Sequence, residues 1–169
     1  MSVSALFESQ PVDAESRASA GDPISLRLWL RLLTCTTMIE RHVRERLRER
    51  FDITLARFDL MAQLARAPKG LRMSELSRRL MVTGGNVTGL TDQLVGEGLV
   101  VRRETPDDRR VYTVRLTGKG RRQFEHMAAE HERWIVELLA RVPADERETL
   151  FRLLGVLKAG VAGAEGGER

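Results

Sequence analysis

The side chains in this 169-residue chain that could carry reaction chemistry are three histidines, one cysteine and a pair of adjacent glycines, and none stands in a catalytic pattern. His42, His126 and His131 lack the His-Glu-x-x-His spacing that places two imidazoles on one helix face around a metal. Cys35 has no recognisable adjacent base to make it a nucleophile. Gly84-Gly85 is not followed by the Gly-Lys-Ser/Thr of a phosphate loop. The reading is of a non-enzyme with no cofactor and no metal. The pattern that does emerge is one of hydrogen bonding. Asn86, Thr88 and Gln93 share a helical stretch with Gly85, Gly89 and Asp92, a face of small or polar residues where an ordinary solvated helix carries Lys and Glu. Asn and Gln can pair bidentately with adenine, and Thr can hydrogen-bond a base or meet a thymine methyl. Gly84 and Gly85 leave first-turn amides open to a phosphate oxygen, at about 1 kcal/mol of helix propensity each.

The elements that must position this face are short. Ser74 is expected to cap a helix through Leu80 with Leu76 and Leu80 inward, and Thr83 to cap a second with Val87, Leu90 and Leu94 inward. Helices below roughly 12 residues are marginal alone, so the two need each other and a further partner. The tight turn between them predicts a helix-turn-helix, whose second helix enters a major groove. Gly98 then supplies a helix C-cap, and strands are expected over Leu99–Arg103 and Val111–Leu116, joined by the turn residues Thr105-Pro106-Asp107-Asp108. Between Arg102 and Arg122 eight basic residues face three acidic ones, a local +5 in a chain whose total is +4. Positive charge is therefore concentrated on this hairpin. A tip carrying Arg109 and Arg110 suits a narrow minor groove, where the negative potential is enhanced.

The rest of the chain is helical. Residues 1–21 read as a flexible tail, and Asp22-Pro23 as a helix start. Leu28, Leu32, Cys35, Ile39, Val43, Leu47 and Phe51 define a long helix, with arginines and glutamates between them on a solvated face. Asp52-Ile53-Thr54 breaks it, and Phe58, Met61, Ala62 and Ala65 face inward on the next. Leu71-Arg72-Met73 is expected to add a short strand to the wing. Thr117 caps a helix through Phe124, Met127, His131, Trp134, Leu138 and Leu139. Pro143 opens a last one with Leu150, Leu153, Leu154, Leu157 and Val161 on its apolar side, expected to fray from Gly160. The predicted fold class is mainly α with a small β-wing, a winged helix-turn-helix with an intertwined helical dimerisation region. Its parts are a tail (1–21), a helical dimerisation region (22–51 and 118–161), a DNA-binding domain (52–117) and a second tail (162–169). The terminal helices carry more apolar stripe than a small winged module can cover, so a two-fold homodimer is expected. Without a membrane-length apolar run or a signal sequence, and with a single cysteine, a cytoplasmic location with no membrane contact is expected.

The stretch resembles the MarR family of winged-helix regulators, through Gly98-Leu99-Val100-x-Arg102, Asp107-x-Arg109 and Leu116-Thr117-x-x-Gly120. The resemblance runs from about Ile24 to Val161. It implies a homodimer on a palindromic double-stranded DNA operator, most often a repressor released by a small molecule. Carried over residue by residue, Arg109 enters the minor groove and Asp107 orients it. The DNA-contacting set then comprises Ser74, Thr83, Gly85, Asn86, Thr88, Gln93, Arg102, Asp107, Arg109, Arg110 and Lys119. Gly89 departs from the family, many of whose members carry a basic residue there. The resemblance also implies a small anionic, often aromatic effector beside the dimerisation helices, with Trp29, Arg31, Cys35, His42, Phe58 and Trp134 as candidates. Leu30–Cys35 and Arg57–Met61 resemble a branch that answers to aromatic acids or their coenzyme A thioesters. Two alternatives stay open: a cysteine redox regulator through Cys35, although the only tyrosine, Tyr112, lies in the wing, and a winged-helix protein-interaction module.

Overall fold

The computed structural model describes residues 24–80, 84–105 and 108–166; the side chains of 84–85, 105, 108–111 and 164–166 lie outside that description. The backbone separates into two compact units, one ending at Leu55 and one beginning at Ala56.

The first unit is built on α1, Ile24–Phe51. The expected start at Asp22-Pro23 falls outside the described residues. Val43 and Leu47 on its last turns are buried, but the same stripe further back is not: Leu28 and Cys35 are exposed, and Trp29 beside them is 57% exposed. Of the α1 stripe, a single copy of the chain buries only Val43 and Leu47, at its C-terminal end. Glu40 and Arg44 form the i,i+4 pair that the charge pattern anticipates, at 3.7 Å. Asp52 ends the helix in the left-handed region at φ 50°, where a short polar side chain is tolerated, and its N–H reaches the Arg48 carbonyl at 3.1 Å.

The second unit holds α2 (Leu55–Ala65) from its second residue on, β1 (Leu71–Arg72), α3 (Met73–Leu80), α4 (Gly84–Gly96), β2 (Val100–Thr105), β3 (Asp108–Leu116), α5 (Gly118–Leu139) and α6 (Ala144–Gly166). The strands form one antiparallel sheet in the order β1-β3-β2. Phe58, Leu60, Met61 and Leu64 of α2, Leu76 of α3, Val87 and Leu94 of α4 and Val114 of β3 are buried, the core that two short helices require.

Several boundaries differ from expectation for physical reasons. Met73 starts α3, so Ser74 lies in the first turn rather than at the cap; β1 pairs Leu71 with Val114 and Arg72 with Thr113 and runs straight into the helix. The β-ladder also claims Thr105 and Asp108, two of the four residues read as turn, while Pro106 and Asp107 lie outside the described residues. Pro143 is the residue before α6, and its carbonyl accepts from Arg147 N–H at 2.9 Å. The helix continues to Gly166 rather than ending at Gly160, with alanines at 159, 162 and 164 among the glycines. Leu150, Leu153, Leu154, Leu157 and Val161, the stripe read as apolar, are all exposed in the single chain. No helix among the described residues is long and apolar enough to cross a membrane.

Candidate nucleic-acid interface

Two helices at α3 and α4 followed by a two-stranded wing define a winged helix-turn-helix, and its second helix divides cleanly into two faces. Val87, Thr91 and Leu94 are fully buried, while Asn86, Thr88, Gly89, Asp92 and Gln93 are exposed. Sequence reading missed Thr91, because a threonine in a helix gives no periodic apolar signal. Its hydroxyl is satisfied inside the core by donating to the Val87 carbonyl at 2.7 Å, with Met73 Sδ at 3.9 Å. The burial of this face fixes the roll of α4 and therefore which polar side chains look outward. Gly85 lies at the start of α4 with its surroundings undescribed, and Thr83 falls outside the described residues.

The C-terminal end of α4 is held from three sides. Gly98 takes φ +70°, and its N–H bonds the Val95 carbonyl at 2.9 Å while Leu99 N–H bonds Leu94 at 2.9 Å, the paired bonds of a Schellman cap. Lys119 Nζ donates to the Glu97 carbonyl at 2.9 Å, a cation at a helix C-terminus. Arg57 of α2 pairs with the Glu97 carboxylate. Arg102 of β2 pairs with Asp92 of α4 at 2.6 Å. Two expected phosphate ligands, Arg102 and Lys119, thus occupy contacts within the protein. Glu97 and Arg57 join the site although sequence reading gave them no role in it, and Asp92, read only as part of the polar face, is the partner of Arg102; Arg57 and Glu97 are forty residues apart, a pairing that no local pattern signals.

We expect Asp92→Ala and Arg102→Ala each to weaken operator binding by roughly 0.5–1 kcal/mol, and the double variant to lose no more than either single one. A double-mutant cycle of binding isotherms measures this. A much larger loss for Arg102→Ala, with a shallower salt dependence, would instead give that arginine to a phosphate.

The wing joins α5 at a close approach. Thr117 caps α5 by accepting from Gly120 N–H at 3.0 Å, and its hydroxyl donates to the carbonyls of Gly98 at 2.8 Å and Leu99 at 3.2 Å. Gly120 is buried, with no room for a side chain against Leu99. The Leu-Thr-x-x-Gly pattern therefore ties the end of the recognition helix, the root of β2 and the start of α5 to one point. Arg109 and Arg110 lie in β3, beyond a register shift at Glu104/Thr105, with side chains outside the description; Asp107 lies outside it altogether.

The effector candidates divide between the units. Trp29, Arg31 and Cys35 are exposed and His42 is half-buried on α1; Phe58 and Trp134 are buried in the second unit. Phe58 packs against Phe124 at 5.5 Å and His131 at 5.2 Å between ring centroids, two neighbours outside the expected set. Burial lowers the His131 pKa, against a smaller upward pull from Asp59, which favours the neutral ring in its packing against Phe58. Among the described residues no cluster of His, Cys, Asp and Glu could hold a metal.

Fold and site together define a winged helix-turn-helix protein. Residues 51–111 match the description of the MarR family. The chain is 34% identical over 113 residues to the uncharacterized HTH-type transcriptional regulator YdgJ of Bacillus subtilis, covering 67% of this chain and 68% of that one. It is 30% identical over 138 residues to the HTH-type transcriptional repressor YetL of the same organism, covering 80% and 81%. A MarR family transcriptional regulator from Silicibacter pomeroyi superposes with a TM-score of 0.67 at 35% identity, over 83% of this chain and 98% of that one. The chain belongs to the MarR family and is a DNA-binding transcriptional regulator rather than an enzyme.

Proposed function

We propose that this regulator is a cytoplasmic homodimeric repressor of a roughly palindromic operator, released by a small aromatic acid or its coenzyme A thioester. The observation that carries the reading is the two-faced α4, whose exposed side offers Asn86, Thr88 and Gln93 to base edges while Val87, Thr91 and Leu94 anchor the other. Arg109 enters the minor groove beside it, oriented by Asp107, and Arg110, Ser74, Thr83 and the Gly85 amide serve the phosphates. Arg102 and Lys119 act first on the aim of α4, through Asp92 and the Glu97 carbonyl.

The exposed apolar stripes of α1 and α6 support a second copy as their cover, and a two-fold pair sets two recognition helices about one helical turn of DNA apart. Repression is supported by likeness to YetL, named as a repressor. For the effector, support comes from the resemblance of Leu30–Cys35 and Arg57–Met61 to the acid-responsive branch, and from the aromatic packing around Phe58.

Binding isotherms on operator and scrambled duplex at fixed salt test the assigned roles. Asn86→Ala is expected to lose about 1–3 kcal/mol on the operator and little on scrambled DNA, and Arg109→Ala to weaken both. Equal losses for Asn86→Ala on the two duplexes would reject base readout by that residue. Unchanged binding by Arg109→Ala would reject the wing's role and favour a protein-interaction module.

A further inference from the structure

We propose that the solvent face of the three-stranded sheet is a second DNA-contact surface, on which Arg72, Arg103 and Arg115 grip the sugar–phosphate backbone outside the half-site read by α4. The inference rests on the proposed entry of the wing into the minor groove.

The register places the three arginines together. Arg72 of β1 and Arg103 of β2 both lie opposite Thr113 of the central strand β3, so the three residues form one row across the sheet. With strands ~4.8 Å apart, the two arginines of that row are separated by roughly 10 Å at the backbone. Arg115 lies two residues along β3, opposite Val101, and alternation puts it on the same face. The opposite face carries Val100, Val114 and Leu116, all buried, which fixes the row as the outward one. All three arginines are exposed.

The sheet treats its cations differently on its two faces. Arg102, on the inner face opposite Val114, has the Asp92 carboxylate at 2.6 Å. Among the described side chains, no ion pair joins Arg72, Arg103 or Arg115 to a carboxylate, and Glu104 falls on the inner face with Arg102. Like charges gathered on one sheet face repel one another. A polyanion is the partner that turns the repulsion into attraction, and guanidinium forks match phosphate oxygens bidentately.

Continuity with the wing selects DNA among polyanions. The strands bearing Arg103 and Arg115 are those that run to the tip at Arg109. The minor groove is only about 6 Å wide, so a hairpin tip that enters it has a sugar–phosphate strand on either side. The inner face looks toward the α4 half-site. The outer face meets the backbone beyond it.

The test compares the wild type with an Arg72→Ala, Arg103→Ala, Arg115→Ala triple variant on two duplexes, the minimal operator and the same operator extended by about one helical turn on each side. Affinity is measured across a salt series. On the extended duplex the triple variant should bind at least ~10-fold more weakly, with a log–log salt slope shallower by about 0.9 for each phosphate that is no longer neutralised. On the minimal duplex the two proteins should coincide. Identical slopes on both duplexes would overturn the proposal; an equal loss on both would also overturn it, by moving the arginines inside the half-site. A wild type that binds neither duplex rejects the underlying wing reading and this inference with it, whereas wild-type binding that is lost in Arg109→Ala upholds that reading whatever the triple variant does. The melting temperature of the triple variant should equal or exceed that of the wild type, since like-charge repulsion has been removed.

Discussion

Gly120→Ala should destabilise the protein by about 3 kcal/mol or more, at the upper end of what overpacking costs. A Cβ at this position would lie 1.9 Å from the Leu99 carbonyl oxygen, 2.8 Å from its carbonyl carbon and 3.1 Å from Leu99 Cα. These are backbone atoms, so no rotamer change relieves the clash. The same carbonyl accepts Thr117 N–H at 3.0 Å and the Thr117 hydroxyl at 3.2 Å. Moving α5 away would therefore break the cap of α5 and loosen the root of β2 together. For a chain of this size the loss corresponds to a fall in Tm of roughly 6–12 °C. Gly118→Ala is the control: two residues away its Cβ would meet only the Arg122 guanidinium at 3.7 Å, and alanine's higher helix propensity should make it neutral or slightly stabilising. Equal melting temperatures for the two variants would show that the close approach of α5 to Leu99 is absent in solution.

The second large effect lies at the exposed stripe of α6. Leu153→Asp with Leu157→Asp should leave the second unit folded and abolish self-association, lowering operator affinity by about 100-fold or more. Both leucines are exposed in the single chain, Leu153 at 51% and Leu157 at 42%, along with Phe151 at 82%, so a charge there costs little packing within one subunit. Each leucine buried against a second copy would contribute ~1.5–3 kcal/mol, and each is replaced by a carboxylate that opposes burial. A monomer also loses the gain in effective concentration that two linked half-sites provide. Sedimentation equilibrium and isotherms on the full operator measure both quantities. A variant that remains dimeric would place the subunit interface elsewhere; a monomer that binds the operator undiminished would contradict readout by a two-fold pair.

What can be read from the chain alone is what depends on neighbours in sequence. Gly98 as the cap of α4 and Thr117 as the cap of α5 are local, because the backbone bonds they satisfy lie within a few residues. The outward set Asn86, Thr88 and Gln93 is legible for the same reason, since Val87 and Leu94 fix one face of a single helix. Pairings between distant residues are not legible. Nothing near Arg57 announces Glu97, and Asp92 and Arg102, ten residues apart, meet only because the chain reverses at Gly98. Ser74 has the right side chain for a cap and sits two residues too late, since pairing with Thr113 sets where β1 ends and α3 begins. The apolar stripe of α1 is evident from its period, but periodicity does not say what covers it, and one chain buries only Val43 and Leu47.

A mobility shift of the purified protein on its own upstream DNA, at fixed salt, with and without a panel of aromatic acids and their coenzyme A thioesters, is the most direct test of a ligand-released repressor. The expected result is a discrete complex, stable against scrambled competitor, that one compound of the panel dissolves. A complex that no compound disturbs would contradict release by this class of effector and bring oxidation of the exposed Cys35 forward as the next signal to try. Failure to bind the upstream DNA at any protein concentration would contradict the assigned operator.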